Sequence, residues 1–156
     1  MAHYRSSVLD DCSILAPKMR EQDAKEVWHS HGSSPLEALV SSFVASDPEE
    51  RHTIIADDGE IIGMFGCAVM IESPKIGVPW LLASDKLPKI TKEFLPQSKE
   101  WIERLHNKHD LLYNHVFMEN KISIRWLKWM GFKFLEAELF GTYPAMFYPF
   151  VKLKGE

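Results

Sequence analysis

An apolar run from Leu111 to Met118 is interrupted at its middle by Asn114 and His115. A histidine in that place can act as a general base, because its ordinary pKa lies near neutrality. The other reading is a histidine satisfied at a sheet surface. Tyr113 and Tyr143 lie in or near strands, and both read as packing residues. His29 with His31, and His106 with His109, are spaced two and three apart. No carboxylate or cysteine completes a metal set around either pair, so they read as solvated helix ends and no metal is expected. Cys12 and Cys67 stand far apart without ligand spacing, and read as buried free thiols of a reducing compartment.

These residues belong to a chain of 156 residues, 46% hydrophobic and 26% charged, which suits one domain spanning residues 1–156. A net charge of −4 argues against a nucleic-acid binder, which wants a clustered basic face. No apolar run approaches the ~18 residues of a membrane span, so no membrane partner is expected. The first residues, Met1 to Ser7, lack the apolar core of a signal peptide. Synthesis in the cytoplasm is the resulting expectation.

The elements that must position the candidates follow in order. His3 to Val8 reads as a first strand, and Asp10 and Asp11 offer carboxylate caps for a helix starting near Cys12. Pro17 breaks that helix. A second helix reads from Glu21 to His29. Ser34 and Pro35 start a third, with Leu36, Leu39, Val40, Phe43 and Val44 at helical spacing. Arg51–Ala56 and Ile61–Ile71 form a hairpin around Asp57-Asp58-Gly59-Glu60. Val78–Ala83 is a buried strand. A long amphipathic helix runs from Ile90 to Leu105, with Pro96 in its first turn or kinking it. Leu111–Met118 is a central strand and Ile122–Met130 a short helix. Phe132–Leu139 and Ala145–Leu153 close the chain as an antiparallel pair. This order implies an α/β fold with a mixed sheet of about six to seven strands and helices on its faces. The crossover around the long helix should be parallel.

The order resembles the GNAT superfamily, the Gcn5-related acyl-CoA N-acyltransferases. The strongest local match is Glu119 to Phe132: Asn120 at a strand end, the small Ser123, a helix, then Gly131-Phe132. A closer resemblance is to the internal virion proteins of T7-like tailed phages. It is carried by Pro79 to Asp85, Leu112 to Phe117 and Asn120 to Gly131, with Met19 to Trp28 and Pro35 to Leu39 nearer the N-terminus.

The resemblance implies acetyl-CoA as acyl donor, held between two splayed strands, with Asn120 and Ser123 in the helix unit near it. A backbone N–H of the strand Pro79 to Ala83 would hold the carbonyl oxygen, Leu82 would help bind the cofactor, and His115, Asn120 or Tyr143 would serve the chemistry. The family's glycine-rich diphosphate loop falls on Ser84 to Lys92, which has no glycine. Lys86, Lys89 and Lys92, helped by Ser84 and Thr91, would have to take the phosphates by their side chains, and Asp85 and Pro88 work against that. The family's proton-donating tyrosine falls on Leu127. The two departures favour a binding or structural protein of the phage internal virion or assembly type. It would work in the host cytoplasm or inside the virion, with phage structural proteins or a second copy as partner. The alternative is an active N-acetyltransferase in which an amine attacks the thioester directly.

Overall fold

The computed structural model describes residues 2–70 and 72–156, with Thr91 described by its backbone alone. Its eight strands are β1 (His3–Ser6), β2 (Ser46–Ile55), β3 (Ile61–Met70), β4 (Ser73–Ala83), β5 (Leu111–Phe117), β6 (Lys133–Phe134), β7 (Glu138–Phe140) and β8 (Ala145–Leu153). They form one sheet in the order β1-β2-β3-β4-β5-β8-β6, with β7 also paired to β8. The pairing is antiparallel except between β4 and β5, which run parallel around the long helix as the crossover requires. The sequence leads one to expect six or seven strands. The count rises because the stretch after Phe132 divides into β6 and β7, each pairing a different part of β8.

Five helices cover the faces: α1 (Asp10–Leu15), α2 (Glu21–His31), α3 (Pro35–Ala45), α4 (Thr91–Leu105) and α5 (Lys121–Trp129). Cys12, Leu15, Val27, Leu39 and Phe43 pack α1 to α3 against Met64 and Leu82 on one face of the sheet. Trp101, Ile102, Leu105 and Ile124 pack α4 and α5 against Leu112, Val116 and Phe150 on the other. Alternation along the strands produces this division, since successive side chains point to opposite faces.

Local signals fix the helix ends. Ser34 accepts the Glu37 amide and Glu37 returns a bond to the Ser34 amide, a capping box with Pro35 at the first position. Gly131, at φ 95°, takes the left-handed turn that ends α5. Asp10 and Asp11 do not cap α1. Asp11 instead turns into the sheet, where it accepts from Arg5, Thr53 and the Val8 amide. Burial opposes its ionisation, but those bonds hold its carboxyl below the ordinary range. Pro96 lies inside α4 rather than at its start. His106 and His109 are buried, not solvated. Their Nδ1 atoms bond the His109 and Pro74 carbonyls, which pins the turn between α4 and β5. Cys12 and Cys67 are buried free thiols, and burial pushes Cys67 up to about 12. Among the described residues no helix is long and apolar enough to cross a membrane.

Candidate active site

Strands β4 and β5 pair only at their starts, Ile76 with Leu111 and Gly77 with Leu112. Beyond that they part. Pro79 has no N–H to offer across the gap, and its carbonyl is taken by the Asn114 side chain at 2.8 Å. Asn114 thus makes the last bridge between the strands and marks the apex of the splay. The opening above it is a cleft of about 490 Å3, within the range of small-molecule sites.

The cleft passes through the sheet layer. Glu26, Ser30, His31 and Ser42 line it on the α2–α3 side, and Trp101, Ser123, Trp126, Leu127 and Met130 on the α4–α5 side. One strand edge in it is predictable from the ladder. Ser84 donates to the Ile62 carbonyl, and Leu82 pairs with Met64. Bonding alternates in an antiparallel ladder, so Trp80 and Leu82 face β3, whereas Leu81 and Ala83 face β5. The amide turned into the cleft is therefore that of Leu81, not Leu82. Leu82 contributes only a buried side chain to the wall.

The wide end of the splay is closed by the start of α2. The Arg20 amide donates to the Ala83 carbonyl, and Asp23 accepts the Ala83 amide at 3.0 Å. Glu26 accepts the Phe117 amide on β5 at 2.8 Å. Asn120 lies between them, fully buried, donating to Asp23 at 3.0 Å and to Glu26 at 3.3 Å. Arg20 completes the set with bonds to Asp23 and to the Asn120 carbonyl oxygen. Two carboxylates thus stand against one guanidinium. Burial, then the nearby Asp23 charge, pushes Glu26 up to about 8. Burial also raises Asp23, opposed chiefly by Arg20.

The expected site residues fall into three groups. His115 and Ser123 line the cleft with Asn114. His115 stacks on Phe140, its ring centroid 3.8 Å away, and its Nε2 lies 3.3 Å from the Tyr113 hydroxyl. Burial holds it below the ordinary histidine value, opposed by Glu138. Asn120 sits behind the wall and orients the carboxylates. Tyr143 is outside the cleft lining, half-exposed and stacked on Trp28 at 4.5 Å. Leu127 does line the cleft, so the position of the family's tyrosine offers only carbon.

The loop after β4 is folded on itself. Ser84 is buried, and its hydroxyl accepts the Lys86 amide while its carbonyl accepts the Leu87 amide. The Lys89 amide goes to the Lys86 carbonyl, and Pro88 has no amide. The Lys86 ammonium is paired with Glu60 at 2.9 Å. Lys89 is exposed, and the Thr91 side chain lies outside the described residues. Within this turn the amides of Lys86, Leu87 and Lys89 are already bonded.

Sequence reasoning missed Arg20, Asp23, Glu26 and Leu81 as site residues. The acidic pair at spacing three on an amphipathic helix is visible in the chain, but ordinarily marks a solvated face.

No protein-family model matches the chain, and neither does any curated protein. Solved structures do. A GNAT-family acetyltransferase from Streptococcus pneumoniae superposes with a TM-score of 0.64 at 16% identity, covering 99% of this chain and 100% of its own. A Gcn5-related N-acetyltransferase from Kribbella flavida gives 0.68 at 12%, covering 97% of each chain. A ribosomal-protein-alanine N-acetyltransferase from Brucella melitensis gives 0.67 at 15%, covering 97% and 99%. Identities this low establish the architecture alone: the chain has the GNAT acetyltransferase fold.

Proposed function

We propose that this chain is an N-acyltransferase that moves an acyl group from a thioester in the β4–β5 cleft to an amine entering from the α2–α3 side. The observation that carries the reading is Glu26, a carboxyl on the cleft wall raised to about 8. A base with a pKa near the working pH is the most effective kind. Glu26 accepts the amine's proton as nitrogen attacks the carbonyl carbon. The Leu81 N–H donates to the carbonyl oxygen as charge develops on it. The carbon–sulfur bond then breaks, and the proton held by Glu26 leaves on the thiol. Asn120 and the Phe117 amide hold Glu26 in place, and the Asn114 bridge keeps the strands apart. The test is thiol release from acetyl and longer acyl thioesters in the presence of a panel of primary amines. The reading expects release that needs both partners and that Glu26→Gln lowers. Release that is absent with every pair sinks it.

A second reading is a structural or assembly protein on the same scaffold, as in the internal virion proteins of T7-like phages. It would act in the host cytoplasm or the virion, beside phage structural proteins or a second copy. The engaged amides of the Ser84–Ile90 turn and the leucine at position 127 favour it. Mass spectrometry of purified particles tests it, and absence of the chain from them rules it out.

A further inference from the structure

The cleft and the turn beside it disagree about the donor. The cleft is open and runs between two strands, as a pantetheine arm requires. The turn after β4 offers an anion the exposed Lys89 and Lys92 side chains but few backbone donors. Of the four residues Lys86 to Lys89, three spend their amides inside the turn or on Ser84, and the fourth is Pro88. No glycine lets the backbone approach a phosphate. Asp85, exposed at the same turn, adds a negative charge. The Lys86 side chain is held by Glu60 on the neighbouring hairpin.

Resting on the N-acyltransferase reading, we infer that the acyl donor is a pantetheine thioester without the adenosine diphosphate half of coenzyme A. The nucleotide half adds no affinity here, because its diphosphate must break the Ser84 and Lys86 bonds before it gains any of its own. Two sources share this chemistry: a free acyl-pantetheine or its 4′-phosphate, and the same arm carried on an acidic carrier protein. The α5 helix bears on the second. Its Lys121, Arg125 and Lys128 are exposed, it contains no acidic residue, and it borders the cleft through Ser123 and Leu127. The transfer balances without another reactant: the acyl carbon exchanges sulfur for nitrogen, and the amine's proton ends on the pantetheine thiol.

The test is calorimetric binding of pantetheine, 4′-phosphopantetheine and coenzyme A to the full chain, with adenosine 3′,5′-diphosphate as competitor. The inference expects the three dissociation constants to agree within about tenfold, equal to about 1.4 kcal/mol, and no displacement by the nucleotide. Coenzyme A binding more than about tenfold tighter than pantetheine, or displacement by the nucleotide, overturns the inference and leaves the acyltransferase reading standing. If none of the three binds, both fall. A holo-carrier protein separates the sources. Joint reversal of Lys121, Arg125 and Lys128 to glutamate weakens its binding if the arm comes on a carrier, and leaves free pantetheine unchanged in either case.

Discussion

Asp23 and Glu26 stand one turn apart on α2 and accept amides from two different strands, Ala83 on β4 and Phe117 on β5. They stand in for the ladder bonds that the parted strands no longer make with each other. The same placement that stabilises the open ends puts a carboxyl on the cleft wall. On the acyltransferase proposal structure and chemistry share one residue, and the two roles separate by experiment.

Glu26→Gln keeps an oxygen for the Phe117 amide and removes the proton acceptor. Transfer activity should fall about a hundredfold or more, the usual scale for a lost general base. The wild-type pH profile should rise and level off above about 8, following the Glu26 carboxyl. In the glutamine variant that limb should vanish while any limb from the amine substrate remains. Initial rates across pH, with two amines of different basicity, check this.

The same residue predicts a pH-dependent melting temperature. Its folded value of about 8 lies above the ordinary 4.5, so the folded state holds a proton that the unfolded chain releases. The contribution is complete below 4.5 and lost as the pH rises towards about 8. The difference in melting temperature between wild type and Glu26→Gln should therefore fall across that window, separate from the contributions of Asp23, which burial also raises, and of His52, His106 and His115, which burial lowers. Asp11 does not confuse the result, since its lowered carboxyl acts on the acid side of 3.8.

Among the described residues Arg20 is the only cation bonded to the buried set, and it is itself nearly inaccessible. Arg20→Met leaves Asp23 unpaired beside a second carboxyl. Breaking a buried pair from one side typically costs about 3–5 kcal/mol. Urea unfolding should register a loss of that order. The double variant Arg20→Met with Asp23→Asn should recover part of it, because the uncompensated charge goes too.

Much of the architecture was legible in the chain. Ser34-Pro35 with Glu37, and Gly131-Phe132, are local signals whose bonds involve near neighbours. They were readable because helix caps are decided within one turn. Asn114 and His115, which interrupt the apolar strand, line the cleft. Glu26 was not legible: its value is raised first by burial under the assembled fold, and the groups bonded to it, Asn120 and the Phe117 amide, lie 94 and 91 positions away. Leu81 was missed for a different reason. Which amide faces the gap follows from ladder phase, and a shift of one residue turns every group to the opposite side. Tyr143 was misleading, since its partner Trp28 comes from another part of the chain.

Gly77 sits at the paired base of the splay. A Cβ there would lie 2.7 Å from His109 Cδ2 and 2.8 Å from Cys67 Sγ. Neither neighbour yields easily. The His109 ring is tied to the Pro74 carbonyl, and Cys67 is fully buried. Gly→Ala often stabilises a chain by about 0.4–1 kcal/mol through the unfolded state. Here overpacking should reverse the sign, with a loss of about 1–3 kcal/mol. For a chain of this size each kcal/mol moves the melting temperature by about 2–4 °C. Gly77→Ala should therefore lower it by several degrees. The strand pair that fixes the apex would also shift, so pantetheine binding should weaken alongside stability. Cys67→Ala in the same background relieves one of the two contacts. It should restore part of both, which separates a local steric cause from general unfolding.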